Sequence, residues 1–494
     1  MTGDDITRLS ARAIAAAVAE RRLSAAEVTA AFLARVDAVN GAVNAVCTLN
    51  PRAGEDAAAV DSRLAAGEPA RPLDGVPFVV KDIIHTKGLR TTFGSLICAD
   101  EVPADDAVSV ARLRAAGGVL LGKSNTPEFA HDVNTSNKLF GATRNPWDLR
   151  RTAGGSSGGT GAAVAAAMAP LGIGTDLGGS IRIPSALNGI AGLRPAPGRV
   201  PVWPSDFAWD TLVQHVQGPM AADVGDLGLM LSVMAGPDDR DPGTLPGPVP
   251  DYTAAAATPA DLKGRRIAYA RDLGGLVPLD GQVGALADAA AKAFEDLGAV
   301  VEDAFFDTAD LQAIVAGTRA FGMVARYADR FDRHRDVMTA PLINQIAAAL
   351  DFDVRAIARA ERLRTLYWHR VREFMAGYDF ILTPSATAPA FRLDRPLPAE
   401  VGGRPVARFY DVFLPCYAFS ITALPIAAIP CGLTSDGLPA GLQLVAPRLR
   451  EDLALSAAAA YAAACPQHFQ RPDIDLAQAV DLGAEITTPG IHIG

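Results

Sequence analysis

Helices that stop at glycine and lead into short apolar strands recur along this chain, and few folds accommodate that order. A capping box at Ser24–Glu27 predicts the start of an amphipathic helix. A second helix is predicted to begin at Asp106 and to end at Gly117, and the apolar run Val119–Leu121 follows it. Val76–Val80 is a similar run. The order is typical of an α/β fold with a largely covered sheet.

More runs that resemble strands lie far along the chain, around alanine-rich helical patterns from Gly284 to about Met375. They are Arg266–Tyr269, Phe380–Thr383, Leu424–Cys431 and Gly441–Val445. Strands of similar kind at both ends, with helices between them, predict one domain whose sheet is assembled from distant segments.

Composition excludes several classes of protein. The chain has 494 residues, of which 49% are hydrophobic and 20% charged, which excludes intrinsic disorder. The net charge of −10 and the absence of a dense basic run argue against nucleic-acid binding. Five scattered cysteines without CxxC spacing argue against a disulfide scaffold or a structural zinc site, and they favour a reducing, cytoplasmic compartment.

Two segments that resemble membrane signals are better interpreted otherwise. Asp4 and Asp5 stand where an export signal needs positive charge. The uncharged run Phe413–Leu433 is long enough to span a bilayer, but three prolines interrupt it. We therefore expect no membrane association and predict buried strands and turns over that run.

Residues 150–201 are unusually rich in glycine and serine. A flexible linker is a poor interpretation, because the helix-forming run Ala162–Met168 and the apolar, charged run Ile181–Ile183 stand among the glycines. Glycines in ordered structure supply positive φ angles or allow a ligand close to the backbone. The segment predicts a site for something small and polar.

Three known motifs fit this segment poorly. The glycines of Gly172–Gly178 loosely follow the dinucleotide-binding pattern, but no acidic residue lies between Asp176 and Asp206 to hold a ribose. A phosphate loop would need Gly-Lys-Ser/Thr after its glycines, and none follows. Gly154–Gly158 satisfies the GxSxG pattern of α/β-hydrolases, but a charged run precedes it where the elbow needs an apolar strand.

Two motifs, their spacing and a distant lysine resemble the amidase signature family. GGSSGG contains Ser156, GTDLGGSIR contains Ser180 24 residues later, and Lys81 lies 75 residues before Ser156 after an apolar strand. Further blocks similar to the family are Leu73–Pro77, Gly122–Glu128, Gly141–Trp147 and Gly437–Gln443. Together these segments extend from about Ser24 to Pro447, which is most of the chain.

The resemblance implies a single large α/β domain over residues 1–494, with a central mixed β-sheet covered by helices on both faces. Within it we expect N-terminal helices over about 1–70 and a catalytic core over about 71–235. A helical specificity region is expected over about 280–375, and a part that completes the sheet over about 376–494.

The resemblance also implies a Ser-Ser-Lys triad. Ser180 would be the nucleophile, Ser156 a bridging serine in a cis peptide, and Lys81 the base. A serine hydroxyl needs a base to take its proton, and a lysine serves only when it is neutral. Burial favours the neutral form, and the run Val76–Val80 supplies an apolar wall of that kind.

By the same resemblance, four consecutive backbone N–H groups would form the oxyanion hole. They belong to Leu177, Gly178, Gly179 and Ser180. We expect Asp176 and Arg182 to support this loop, and Ser157 to have a structural role through backbone hydrogen bonds.

Other reactive side chains are assigned structural roles. His85 lies four residues after Lys81, but no Ser-His-Asp context surrounds it. His131 and Asp132 are expected at a surface or pocket rim rather than at a metal, and Cys431 as a small buried residue. We expect neither metal nor cofactor.

The predicted function is hydrolysis of a small-molecule carboxylic amide, with esters and carbamates accessible to the same chemistry. The alternative is a glutaminase subunit that supplies ammonia to a partner protein, and a homo-oligomer is left open. The chain departs from the family pattern at Ser420 and Ala423, which we expect near the acyl-binding side. Specificity elements are expected in Trp203–Val216 and Phe321–His334.

Overall fold

The computed structural model describes residues 2–208, 215–395, 397–406 and 410–478. The strands within these ranges are β1 (Val46–Leu49), β2 (Pro77–Lys81), β3 (Val119–Ser124), β4 (Ser136–Asn137), β5 (Gly141–Ala142), β6 (Arg144–Asn145), β7 (Asp148–Thr152), β8 (Leu171–Asp176), β9 (Ala191–Arg194), β10 (Val216–Ala221), β11 (Arg266–Tyr269), β12 (Val300–Asp303), β13 (Phe380–Pro384), β14 (Glu400–Val401), β15 (Arg404–Pro405), β16 (Ile426–Leu433) and β17 (Pro439–Val445). The α-helices are α1 (Gly3–Thr7), α2 (Ala11–Ala19), α3 (Ala25–Val43), α4 (Ala53–Ala65), α5 (Val108–Ala115), α6 (Gly158–Ala165), α7 (Arg182–Asn188), α8 (Val224–Met234), α9 (Tyr252–Ala257), α10 (Gly281–Asp296), α11 (Leu311–His334), α12 (Ala340–Leu350), α13 (Val354–Met375), α14 (Tyr410–Ser420) and α15 (Glu451–Ala464).

One eleven-stranded sheet organises the molecule, in the order β1-β3-β2-β8-β10-β9-β16-β17-β13-β11-β12. It is mixed: β2 is parallel to β3 and β8, whereas β10 is antiparallel to β8 and β16 is antiparallel to β17. Strands from the two ends of the chain meet where β9 pairs with β16. The prediction of a mixed α/β sheet assembled from distant segments is confirmed.

Local sequence signals place several of these elements. Ser24 caps α3, since its Oγ accepts the Glu27 amide at 3.1 Å while the Glu27 carboxylate accepts the Ser24 amide at 2.8 Å. The predicted start of α5 is wrong by two residues, because the helix begins at Val108. The Asp106 carboxylate instead accepts the Lys87 amide at 2.7 Å.

The uncharged run near the C-terminus was predicted as strands and turns, and its first part is different. Residues up to Ser420 form α14, a helix that contains Pro415. The rest of the run contains β16, as expected. The helical region between Gly284 and Met375 is likewise interrupted by β12 at one edge of the sheet. Among the described residues, no helix combines the length and apolar character needed to cross a membrane.

The helix pair α11–α12 has a small core of its own beside the sheet. Tyr327 and Phe331 of α11 and Ile346 of α12 pack with Phe129, which lies in the loop after β3. This pair therefore covers the region beyond the carboxyl ends of β2 and β3.

Lys123 on β3 holds the loop after β2 by hydrogen bonds. Its side chain is fully buried, and its Nζ donates to the Ile84 carbonyl and to Oγ1 of Thr86 and Thr91, at 2.8 and 3.0 Å for the two hydroxyls. Burial lowers the Lys123 pKa to about 8, against the opposing attraction of Asp82.

Replacing this ammonium with an apolar group of similar length should destabilise the protein. In Lys123→Met the three oxygen acceptors lose their donor, which we expect to lower stability by about 2–4 kcal/mol. Urea and thermal unfolding midpoints measure the change. Lys292→Met, at an exposed lysine of α10, is the control and should change stability by less than about 0.5 kcal/mol. Equal midpoints for the two variants would contradict the assignment.

Candidate active site

The two segments predicted to carry the chemistry meet at one edge of the sheet. Lys81 is the last residue of β2 and Asp176 the last residue of β8, and these neighbouring strands are parallel, with Val80 opposite Ile173. Carboxyl ends of parallel strands lie at the same edge. The lysine is therefore brought to the start of the loop that contains Ser180.

Lys81 is fully buried and contacts two hydroxyl groups. Its Nζ donates to Ser156 Oγ at 2.7 Å and to Thr175 Oγ1 at 2.8 Å. Burial drives the Lys81 pKa well below its usual value, and the attraction of Asp176 only partly opposes this shift. The site thus combines a desolvated amine with a hydroxyl group at hydrogen-bond distance.

Ser156 lies in a tight turn before α6, and the Gly155–Ser156 peptide bond is cis. Two threonines hold the turn: Thr126 Oγ1 donates to the Ser156 carbonyl at 3.1 Å, and Thr135 Oγ1 donates to the Gly154 carbonyl at 2.9 Å. At Gly155 a Cβ atom would lie 2.7 Å from backbone atoms of residues 132 and 133, so only glycine fits there.

Ser157 fastens this turn to the segments beside it. Its amide donates to the Ser180 carbonyl at 3.1 Å, and its Oγ exchanges hydrogen bonds of 3.2 Å with the backbone of Thr175. These contacts hold Ser156 and Ser180 on neighbouring stretches of backbone. They are the kind of structural contact expected for Ser157.

The loop with Ser180 curls around the carboxylate of Asp176. Asp176 accepts the amides of Gly179 at 2.8 Å and of Ile181 at 3.2 Å, and Gly179 adopts a φ of +124°. Arg182 donates Nε and NH2 to the same carboxylate at 3.0 and 2.9 Å. Burial raises the Asp176 pKa, but Arg182 outweighs it and holds that pKa below its usual range.

The same arginine joins the loop to the C-terminal part of the chain. Arg182 donates to Gln443 Oε1 and Ser420 Oγ, both at 2.5 Å, and to the Cys416 carbonyl at 2.8 Å. Ser420 is therefore wrongly predicted near the acyl-binding side. It lies in the buried network behind Ser180, because it ends α14, which packs against α7.

A cavity of about 390 Å³ opens onto Ser156 and Ser180. Three of the four residues predicted to hold an oxyanion line it, namely Leu177, Gly178 and Ser180. The fourth, Gly179, directs its amide to Asp176 instead, so its hydrogen is already bonded behind the loop. At Gly178 a Cβ atom would lie 2.3 Å from the ring of Tyr417, which leaves no space for a side chain.

Both predicted rim residues, His131 and Asp132, line the cavity, and so does His85. The pKa of His131 lies well below its usual value, first through burial and then through the positive charge of Arg319. Within the described ranges, no group of three or more His, Cys, Asp or Glu side chains is arranged to hold a metal ion. Cys431 is buried in the core, and burial raises its pKa to about 12.

The outer wall comes from the two segments in which specificity elements were expected. Residues 204–208 line the cavity from one segment, and Arg326, Tyr327 and Arg330 of α11 line it from the other. Residues 209–214 of the first segment lie outside the described ranges.

Sequence reasoning missed several polar residues of the site. Thr175, the second hydrogen-bond partner of Lys81, lies directly before Asp176 in the GTD motif. A hydroxyl group next to the acidic residue of this motif was the signal that could have identified it. Arg319, Gln345 and Tyr417 also line the cavity. No local pattern marks these three, since α11, α12 and α14 meet only in the folded chain.

Comparison with known proteins gives a consistent result across nearly the whole chain. The family model described as Amidase matches residues 27–455. The chain is 37% identical over 476 residues to an acylamidase of Rhodococcus erythropolis, covering 96% of this chain and 98% of that protein. It is 35% identical to a glutamyl-tRNA(Gln) amidotransferase subunit of Moorella thermoacetica, covering 95% of this chain and 99% of that protein.

Among solved structures, a bacterial aryl acylamidase of the amidase signature enzymes superposes with a TM-score of 0.86 at 29% identity, over 93% of this chain and 97% of that chain. Sequence match, shared fold and the motifs around Ser156 and Ser180 agree, and the chain belongs to the amidase signature family.

Proposed function

We propose that this protein hydrolyses a small-molecule carboxylic amide to an acid and ammonia or an amine, through an acyl-enzyme on Ser180. One observation carries the proposal: the fully buried Lys81 Nζ lies 2.7 Å from Ser156 Oγ. The turn that contains Ser156 is itself hydrogen-bonded to the backbone of Ser180. The acylamidase relative supports an amide as the substrate.

In the first step, Ser180 Oγ attacks the carbonyl carbon and forms the new C–O bond. Its proton passes to Ser156 Oγ while the Ser156 proton passes to the neutral amine of Lys81. The C–N bond then breaks, and the leaving nitrogen takes the proton back along the same path. A water molecule attacks the ester in the same way, which releases the acid and restores Ser180.

The negative oxygen of the tetrahedral intermediate needs N–H donors directed into the cavity. We assign this role to the amides of Leu177, Gly178 and Ser180, because these residues line the cavity. Gly179, the fourth predicted donor, is assigned to loop support because Asp176 accepts its amide. Arg182 keeps Asp176 ionised and so keeps the loop curled.

Esters and carbamates are accessible to the same mechanism, since they present the same carbonyl carbon to Ser180. The alternative function is that of a glutaminase subunit that supplies ammonia to a partner protein, and the likeness to the amidotransferase of Moorella thermoacetica supports it.

We also propose a cytoplasmic location, because the cysteines are all free thiols.

Loss of the Ser180 hydroxyl should abolish turnover and leave the fold intact. We expect Ser180→Ala to lower kcat by about 10⁴-fold or more, because nothing else in the triad can form the acyl-enzyme. Intact mass spectrometry after treatment with a fluorophosphonate should show one adduct on the wild type and none on Ser180→Ala. Ser435→Ala, at an exposed serine, is the control and should still be labelled. An adduct that persists on Ser180→Ala would refute the assignment of the nucleophile.

Activity should fall in acid as Lys81 becomes protonated. Because burial lowers the pKa of Lys81, the neutral base is present at lower pH than for an exposed lysine, and kcat/KM should be constant above that pKa. Below it, the rate should fall tenfold per pH unit. Lys81→Met should lose about 10²–10⁴-fold in kcat at pH values above the Lys81 pKa, with Lys292→Met as the control. A profile that stays flat well into acid would exclude a lysine base.

The two candidate functions differ in whether one polypeptide suffices. We expect the purified chain alone to release the amine from simple acyl anilides, measured by absorbance, and to do so without an added protein. Ammonia release from glutamine that appears only when a second protein is added would favour the glutaminase role instead.

A further inference from the structure

The half-buried guanidinium group of Arg319 in α11 lines the cavity, and its hydrogen-bond partners are uncharged groups. Its NH1 donates to Tyr417 Oη at 3.1 Å, and its NH2 donates to Gln345 Oε1 and lies 3.5 Å from His131 Nδ1. In the parts of the chain that the structure describes, no carboxylate forms an ion pair with Arg319. The positive charge therefore has hydrogen-bond acceptors around it but no carboxylate of the described residues at ion-pair distance.

The Arg319 side chain also has an unused donor. Its Nε is buried and has no hydrogen-bond partner among the described residues. A buried N–H without an acceptor and a cation without an anion both cost free energy. An anionic ligand in the cavity stabilises such a cation by its opposite charge, and the terminal nitrogens of a planar guanidinium suit the oxygens of a carboxylate.

Another arginine of the same helix provides the contrast. Arg330 also lines the cavity, but its NH2 lies 3.8 Å from Asp206, and its guanidinium stacks over the ring of Phe129 at 5.3 Å. Arg330 thus has a carboxylate at ion-pair distance, which distinguishes it from Arg319. Two acidic lining residues are engaged elsewhere: Asp132 accepts backbone amides at 2.6 and 3.2 Å, and Asp241 accepts them at 2.8 Å.

Arg319 lies close to the loop with the nucleophile. The Tyr417 hydroxyl accepts its NH1, and the Tyr417 ring packs against Gly178, two residues before Ser180. Arg319, Tyr417, Gly178 and Ser180 all line the same cavity of about 390 Å³. The half-buried His131 beside them has its pKa lowered first by burial and then by the positive charges of Arg319 and Arg326.

We propose that Arg319 is a specificity-determining residue that binds an anionic oxygen group of the substrate, so that the preferred amides carry a carboxylate besides the scissile bond. The inference rests on the proposed function, because it places this charge relative to the bond that Ser180 attacks. The carboxylate accepts hydrogen bonds from the guanidinium, and no bond to it forms or breaks during the reaction.

Matched pairs of amides test the proposal. Glutaryl-4-nitroanilide against pentanoyl-4-nitroanilide places the charge on the acyl side, and 4-acetamidobenzoate against 4-methylacetanilide places it on the leaving group. We expect the wild type to favour the anionic member of one pair by about 10- to 100-fold in kcat/KM. Arg319→Met should reduce that ratio by a similar factor, and Arg319→Lys should retain part of it.

Arg330→Met is the control, since it removes the same charge from the same helix and the same cavity. It should change the ratio by less than about threefold, because Arg330 already has the Asp206 carboxylate at ion-pair distance. An equal fall in Arg330→Met would mean a general effect of net charge and would overturn the proposal. A wild type without preference in either pair would also overturn it, whether or not the variants fold.

Failure of the proposed function would be distinguishable from failure of this inference. If the wild type hydrolyses no member of either pair and takes no fluorophosphonate on Ser180, the proposed function fails. Calorimetric titration with glutarate and with the neutral glutaramide then tests whether Arg319 binds a carboxylate. Tighter binding of glutarate that is lost in Arg319→Met supports the arginine site, and equal binding of the two compounds overturns it.

Discussion

An amine buried beside a sheet loses the hydration that stabilises its charged form. The pairing of β2 with β8 puts Lys81 in such a buried position. Its Nζ ends between the hydroxyls of Ser156 and Thr175, and burial outweighs the attraction of Asp176. The rest of the site depends on this arrangement. The proposed base needs a dry interior to be neutral, and the hydroxyl of Ser156, the proposed bridge, lies 2.7 Å from it.

Two buried ionisable groups in the site have opposite surroundings. Asp176 is surrounded by donors from Arg182 and from the amides of its own loop, so it remains ionised and serves as the fixed point around which the loop curls. Among the described residues, the Lys81 amine donates to two hydroxyl groups. The carboxylate is thus held as an anion, whereas burial favours the neutral amine that the proposed mechanism requires. Arg182 also donates hydrogen bonds to Gln443 on β17 and to Ser420 at the end of α14. The loop is therefore hydrogen-bonded to the C-terminal part of the chain.

The outer part of the cavity is built differently from its floor. The inner part, around Ser156 and Ser180, consists of backbone turns and short side chains at the edge of the sheet. The outer wall comes from residues 204–208 and from α11 and α12, and these two helices pack in a core of their own with Phe129. Arg319, for which we propose a role in substrate choice, belongs to this wall.

The sequence by itself determined the fold class, the strands β2, β11, β13 and β17, the capped start of α3, and the family, because periodicity, capping and motif spacing are local and survive without knowledge of contacts. The roles of Lys81, Ser156 and Ser180 stay predictions from that resemblance. Tertiary structure alone decided three things. It turned the Gly179 amide towards Asp176, placed Ser420 behind the loop, and brought Arg319 to Tyr417 across 98 residues of chain. The reason is physical: hydrogen bonds and charge balance between distant segments depend on packing, which no local pattern records.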